Sequence, residues 1–93
     1  MTVTFHLAGF LRSFAGGARE VRVDVPGGTV GEALRALGER HPGVLARVLD
    51  EQGCLRRHVN LFVGERSVRD CAGLETAIAE GDDLSVLAAV SGG

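Results

Sequence analysis

The run Leu84-Ser85-Val86-Leu87-Ala88-Ala89-Val90-Ser91-Gly92-Gly93 decides how the rest of the chain is read. Leu84 to Ala89 carries no charge on either face of an extended strand, the pattern of a strand set in the middle of a sheet. The remaining elements are therefore read as its neighbours. Two glycines follow it. Glycine makes up 14 of the 93 residues, so a given glycine pair arises by chance about 2% of the time. That is uncommon but insufficient alone. Physically, a glycine carboxylate has no Cβ beside it, so it can thread a narrow channel and lie flat in a partner's site.

Working outward, Glu80-Gly81-Asp82-Asp83 is a polar turn into this strand. His58-Val59-Asn60-Leu61-Phe62-Val63 alternates as a strand, with Val59, Leu61 and Val63 inward and Asn60 and Phe62 on the opposite face. On that opposite face Phe62 and Leu87 are expected side by side, turned away from the helix. Gly64-Glu65-Arg66 then turns the chain into a short edge at Ser67-Val68-Arg69, followed by an irregular stretch around Gly73-Leu74.

Near the start, residues 3–7 and 19–25 also alternate and pair as an antiparallel couple. Between them Gly9 to Phe14 is too long for a tight hairpin loop and reads as a wide connection that tucks Phe10, Leu11 or Phe14 under the core. Pro26-Gly27-Gly28 breaks the second strand, and Thr29-Val30-Gly31-Glu32 has the spacing of a capping box, so a helix starts at Val30. Its apolar positions Val30, Ala33, Leu34 and Leu37 form one stripe. Pro42 ends it, and Gly43 to Leu49 adds a short helical turn. The predicted fold is α+β, a mixed four- to five-stranded sheet with one main helix packed across it.

Ninety-three residues make one domain with a single core and no deep cleft of its own. The chain carries a net charge of -2, and its ten basic residues, all arginine, are scattered among twelve acids, which excludes a nucleic-acid footprint. Arg56-Arg57-His58 is the one basic cluster and reads as a solvated loop. No apolar run reaches the roughly 18 residues of a membrane span, and the start lacks a signal peptide's pattern, so a cytoplasmic protein is expected. Cys54 and Cys71 are then expected as free thiols. Cys54 and His58 lack a third ligand, so no metal site is expected.

Val59-Asn60-Leu61-Phe62-Val63, Gly73-Leu74-Glu75-Thr76-Ala77-Ile78-Ala79-Glu80-Gly81-Asp82 and Val86 to Gly93 together resemble the ubiquitin-like β-grasp sulfur carriers, the family of ThiS, MoaD and CysO, and are most similar to the CysO type. The resemblance covers nearly the whole chain. Extra length around Val44 to Arg57 sets the chain apart from ThiS, and Ala88 stands where the family often has proline. The resemblance implies a β-grasp domain over residues 1–89 and a flexible Gly-Gly tail over 90–93.

It also implies the chemistry. Gly93 would be adenylated by an E1-like enzyme that uses ATP, then converted to a thiocarboxylate, with Gly92 beside it. The sulfur would go to a metabolite in an acceptor enzyme, pyridoxal-phosphate dependent for a CysO-like carrier. Phe62, Leu87, Ala89, Val90 and Ser91 would touch these partners. The chain would be a co-substrate rather than an enzyme, with no permanently bound cofactor, no metal, no nucleic acid and no membrane. Two alternatives stand beside this: a MoaD-like small subunit bound to the large subunit of molybdopterin synthase, and a ubiquitin-like protein modifier or interaction domain.

Overall fold

The structure, a computed structural model, describes residues 1–88. Strand β1 spans Thr2–Leu7, helix α1 Gly9–Arg12 and strand β2 Glu20–Asp24. Helix α2 spans Val30–Arg40 and helix α3 Pro42–Val48. Strands β3 (Val59–Val63), β4 (Arg66–Ser67) and β5 (Asp83–Ala88) complete one sheet in the order β2-β1-β5-β3-β4. As expected, the sheet is mixed: β5 runs parallel to β1 and antiparallel to β3, and lies at its centre.

Alternation decides which side of the sheet is covered. Val3, Phe5 and Leu7 of β1, Val21 and Val23 of β2, Val59, Leu61 and Val63 of β3, and Leu84 and Val86 of β5 are all buried. Against them α2 sets Val30, Ala33, Leu34 and Leu37, its predicted stripe, each 0% exposed. Each such aliphatic side chain contributes about 2 kcal/mol by leaving water. The helix begins where the capping box places it: Glu32 N–H donates to Thr29 Oγ1 at 3.3 Å, and the Thr29 hydroxyl donates to Glu32 Oε1 at 3.1 Å. Pro42 both stops α2 and opens α3, since a missing N–H costs nothing in a first helical turn. The two helices cross closely at Gly38, where an added Cβ would press on Leu45, within 2.9 Å of that residue's own Cβ.

Four expectations change. Residues 9–15 are helical, α1 followed by a 3-10 turn at Ser13–Ala15, and only Leu11 of the three proposed side chains is buried. Phe14 lies outside, in contact with Gly43 and under the Arg47 guanidinium, whose carbon sits 3.6 Å from the ring centroid. The second edge strand is only Arg66–Ser67, because the Ser67 hydroxyl accepts from Arg69 N–H at 3.3 Å and winds Val68–Asp70 into a 3-10 turn. Strand β5, although central, is covered on one face only: Leu87 is 43% exposed. Finally, Phe62 faces Ser85 across the ladder and Leu87 faces Asn60, so the two apolar residues are diagonal neighbours rather than directly opposed.

Candidate functional site

The open face of the sheet divides in two. On the β1–β2 side it is polar: His6 Nε2 lies 2.8 Å from Asp83 Oδ1, and Nδ1 lies 3.5 Å from Glu20 Oε1. On the β5–β3 side Leu87 is exposed and Phe62 half-buried, with Asn60 and Ser85 between them. Diagonal neighbours on one face stand about 7 Å apart, within reach of a ring and a leucine side chain. The two therefore form one small apolar patch, of which Leu87 is the exposed part.

This patch sits beside the exit of the chain from the sheet. Ala88, the final residue of β5, is opposite Val59. There the ladder is spent: Val59 N–H donates to Arg56 O at 3.1 Å, and Val59 O accepts from Arg69 Nη2 at 2.7 Å. The main chain of β5 is anchored two residues earlier on the other flank, where Ala8 N–H donates to Val86 O at 3.1 Å. Of the residues singled out from the sequence, Phe62 and Leu87 are thus brought together, while Ala89, Val90, Ser91, Gly92 and Gly93 lie outside the described residues.

Sequence reasoning passed over Arg47 and Arg69, which the fold carries to the same end of the sheet as Arg56 and His58. No periodicity could have signalled this, since the four come from a helix, a loop and a turn. Both cysteines are free and exposed. Among the described residues no cluster of His, Cys, Asp and Glu is arranged to hold a metal ion, and no helix is long and apolar enough to cross a membrane.

A five-stranded mixed sheet crossed by one main helix, with its central strand running out toward a Gly-Gly pair, defines the class of ubiquitin-like β-grasp proteins. Within that class the chain belongs to the ThiS family, which it matches over residues 5–93. It is 38% identical over 95 residues to the sulfur carrier protein CysO of Mycobacterium tuberculosis, covering 100% of each chain. It is 44% identical over 78 residues to small archaeal modifier protein 1 of Haloferax volcanii, covering 83% of this chain and 85% of that one. The CysO of the Amycolatopsis orientalis BexX/CysO complex superimposes with a TM-score of 0.85 at 37% identity, over 98% of this chain and 99% of the other.

Proposed function

We propose that the chain is a sulfur carrier, a protein co-substrate whose Gly93 carboxylate is converted to a thiocarboxylate and then spent in a partner's active site. The observation that carries this reading is the position of β5. The central strand of the sheet ends at Ala88, five residues before Gly93, and its exit is flanked by the patch of Phe62 and Leu87. Family membership and full-length likeness to a sulfur carrier support it.

A carboxylate resists nucleophilic attack because the attack adds charge to a group already negative. Adenylation removes this barrier: a Gly93 oxygen attacks the α-phosphorus of ATP in an E1-like enzyme, and pyrophosphate leaves. A sulfide nucleophile then adds to the acyl carbon and expels AMP, which leaves a thiocarboxylate with no change of oxidation state. Its sulfur attacks an electrophilic carbon of the acceptor's substrate, which loses its leaving group as the carbon–sulfur bond forms, and water cleaves the resulting thioester at its acyl carbon, restoring the Gly93 carboxylate and leaving the sulfur on the product as a thiol. For a CysO-like carrier we infer an acceptor enzyme that uses pyridoxal phosphate or a similar activating group.

Both partners must offset the ordering of the tail, which costs on the order of 1 to 2 kcal/mol per residue. Phe62 is half-buried and Leu87 43% exposed, so completing their burial contributes about 1 kcal/mol each and offsets part of that cost from the body of the domain. A second reading is favoured by the likeness to a protein named as a modifier: Gly93 joined by an amide bond to another protein.

The intact mass of the protein isolated from its host without thiol alkylation, with fragmentation of the C-terminal peptide, tests both readings. An oxygen-to-sulfur exchange at Gly93 is expected. Gly93 found only as carboxylate after incubation with the host's activating enzyme, ATP and sulfide would sink the carrier reading, and Gly93 found in branched peptides would favour the modifier.

A further inference from the structure

At the end of the sheet where β5 stops, the arginines are fixed by main chain rather than by acids. Arg56 donates from Nε and Nη2 to Ala46 O at 3.2 and 3.0 Å. Arg69 Nη2 donates to Arg56 O and Val59 O, each at 2.7 Å. Arg47 is held over Phe14. Among the described residues the only ion pairs are those of His6 with Glu20 and Asp83, so no arginine is matched to a carboxylate. Carbonyl oxygens and a ring face hold a guanidinium in place without cancelling its charge.

The result is a shallow hollow of about 340 Å³ lined, among the described residues, by Ala46, Arg47, Arg56 and His58, none of them an acid. Arg57, exposed, lies next to it in sequence. Val59, which follows His58, pairs with Ala88, so the hollow borders the point where the chain leaves the sheet toward Gly93. Asp50 and Glu51 share a neighbouring hollow with Arg56, and Asp70 follows Arg69 in its turn. Asp50 Oδ1 is committed to its own loop, accepting from Gln52 and Cys54 N–H at 2.9 and 3.0 Å. The opposite end of the sheet is acidic: Glu80, Asp82 and Asp83 lead into β5, and Glu65 sits in the β3–β4 turn. A net charge of -2 thus conceals an uneven spread, with Arg47, Arg56, Arg57 and Arg69 gathered at the exit end and Glu65, Glu80, Asp82 and Asp83 at the other.

We propose that the enzyme that receives the tail carries a carboxylate-rich rim around its channel, and that Arg47, Arg56 and Arg57 meet this rim as Gly93 enters. Charge at a rim acts on encounter more than on the bound complex, so it raises the association rate and makes it salt-dependent. It also orients the approach, since the acidic end of the carrier is repelled by the same rim. The inference rests on the sulfur-carrier reading.

The test is the kcat/KM for adenylation of the full chain by the activating enzyme of its host, followed by ATP–pyrophosphate exchange. Salt is varied from about 0.02 M to about 0.5 M, over which the screening length contracts from about 20 Å to about 4 Å. For the wild type, kcat/KM is expected to fall about tenfold across this range. The Arg47→Glu, Arg57→Glu double variant is expected to lose about tenfold at low salt, with kcat unchanged and the salt dependence flattened. Arg66→Glu, at the far end of the sheet, is expected to match the wild type. If circular dichroism shows the double variant unfolded, Arg57→Glu alone replaces it and is expected to show the same changes at smaller size. A wild-type kcat/KM that is flat across salt overturns the inference and leaves the carrier reading standing, and so does an Arg66→Glu variant as impaired as the exit-end variant. A wild-type chain that is never adenylated overturns the carrier reading and this inference with it.

Discussion

The two faces of the sheet are built from the same strands and obey opposite rules. On the helix side the inward residues of β1 and β3, and Leu84 and Val86 of β5, are aliphatic or aromatic and buried, and only Ala88, where β5 ends, is exposed on that face. On the open side the same strands present His6, Asn60, Phe62, Ser85 and Leu87, a mixture of polar and apolar residues that are partly buried except for the exposed Leu87. The period of a strand makes this division automatic, since neighbouring residues point to opposite faces. One face is therefore answerable to stability and the other is free to serve recognition. The difference teaches where to look: a large apolar side chain on the open face, such as Leu87, has no structural reason to be there.

Substitutions that separate stability from recognition test this division. The largest effect is expected for Phe5→Ala, fully buried on the helix side, which should lower unfolding free energy by about 3 to 5 kcal/mol in urea titration. A loss under about 1 kcal/mol would mean the core is not where the division places it. Next, Phe62→Asp on the open side should weaken affinity for the activating enzyme by about thirtyfold, equivalent to about 2 kcal/mol, when measured by calorimetry. Its melting temperature should remain near that of the wild type; a large fall would assign Phe62 to the core instead.

Thr29→Ala removes the cap of α2 and should cost about 1 kcal/mol of stability with no change in the rate of adenylation, since the cap belongs to the helix side. The smallest effect is expected for Ala88→Pro. Val59, opposite, already has its N–H on Arg56 and its carbonyl on Arg69, so a proline at the strand's end leaves the ladder intact. Stability should change by less than about 1 kcal/mol in the same titration. A loss of about 3 kcal/mol would show that the Ala88 N–H holds a bond the sheet needs.

Much of the fold was legible because local rules and tertiary structure agree at the right places. The alternation of β1, β2 and β3, the capping box at Thr29 and the stop at Pro42 all appear in the sequence for the reasons they act in the structure. Helix α1 was not legible, since a four-residue helix has no period to detect and is held by the burial of Leu11. The second edge shrank because a serine hydroxyl at Ser67 outcompeted a further ladder bond. At the candidate site, Phe62 and Leu87 were found through strand alternation, but their diagonal offset depends on register, which no strand carries by itself. The basic end escaped notice because Arg47 and Arg69 lie far from Arg56 in sequence and meet it only after folding.

The parallel pairing of β1 with β5 joins Thr4 to Asp83 and His6 to Ser85, residues from nearly opposite ends of the sequence. The β1–β2 and β3–β4 hairpins are each local, and the only strand that joins them in the sheet is β5, between β1 and β3. That insertion closes the longest loop in the molecule, and loop closure of this kind is what slows the folding of mixed sheets. Completion of the sheet and placement of the strand that leads to Gly93 thus depend on the same pairings, so a partner that reads the β5–β3 surface, as the sulfur-carrier proposal requires, reads a finished sheet.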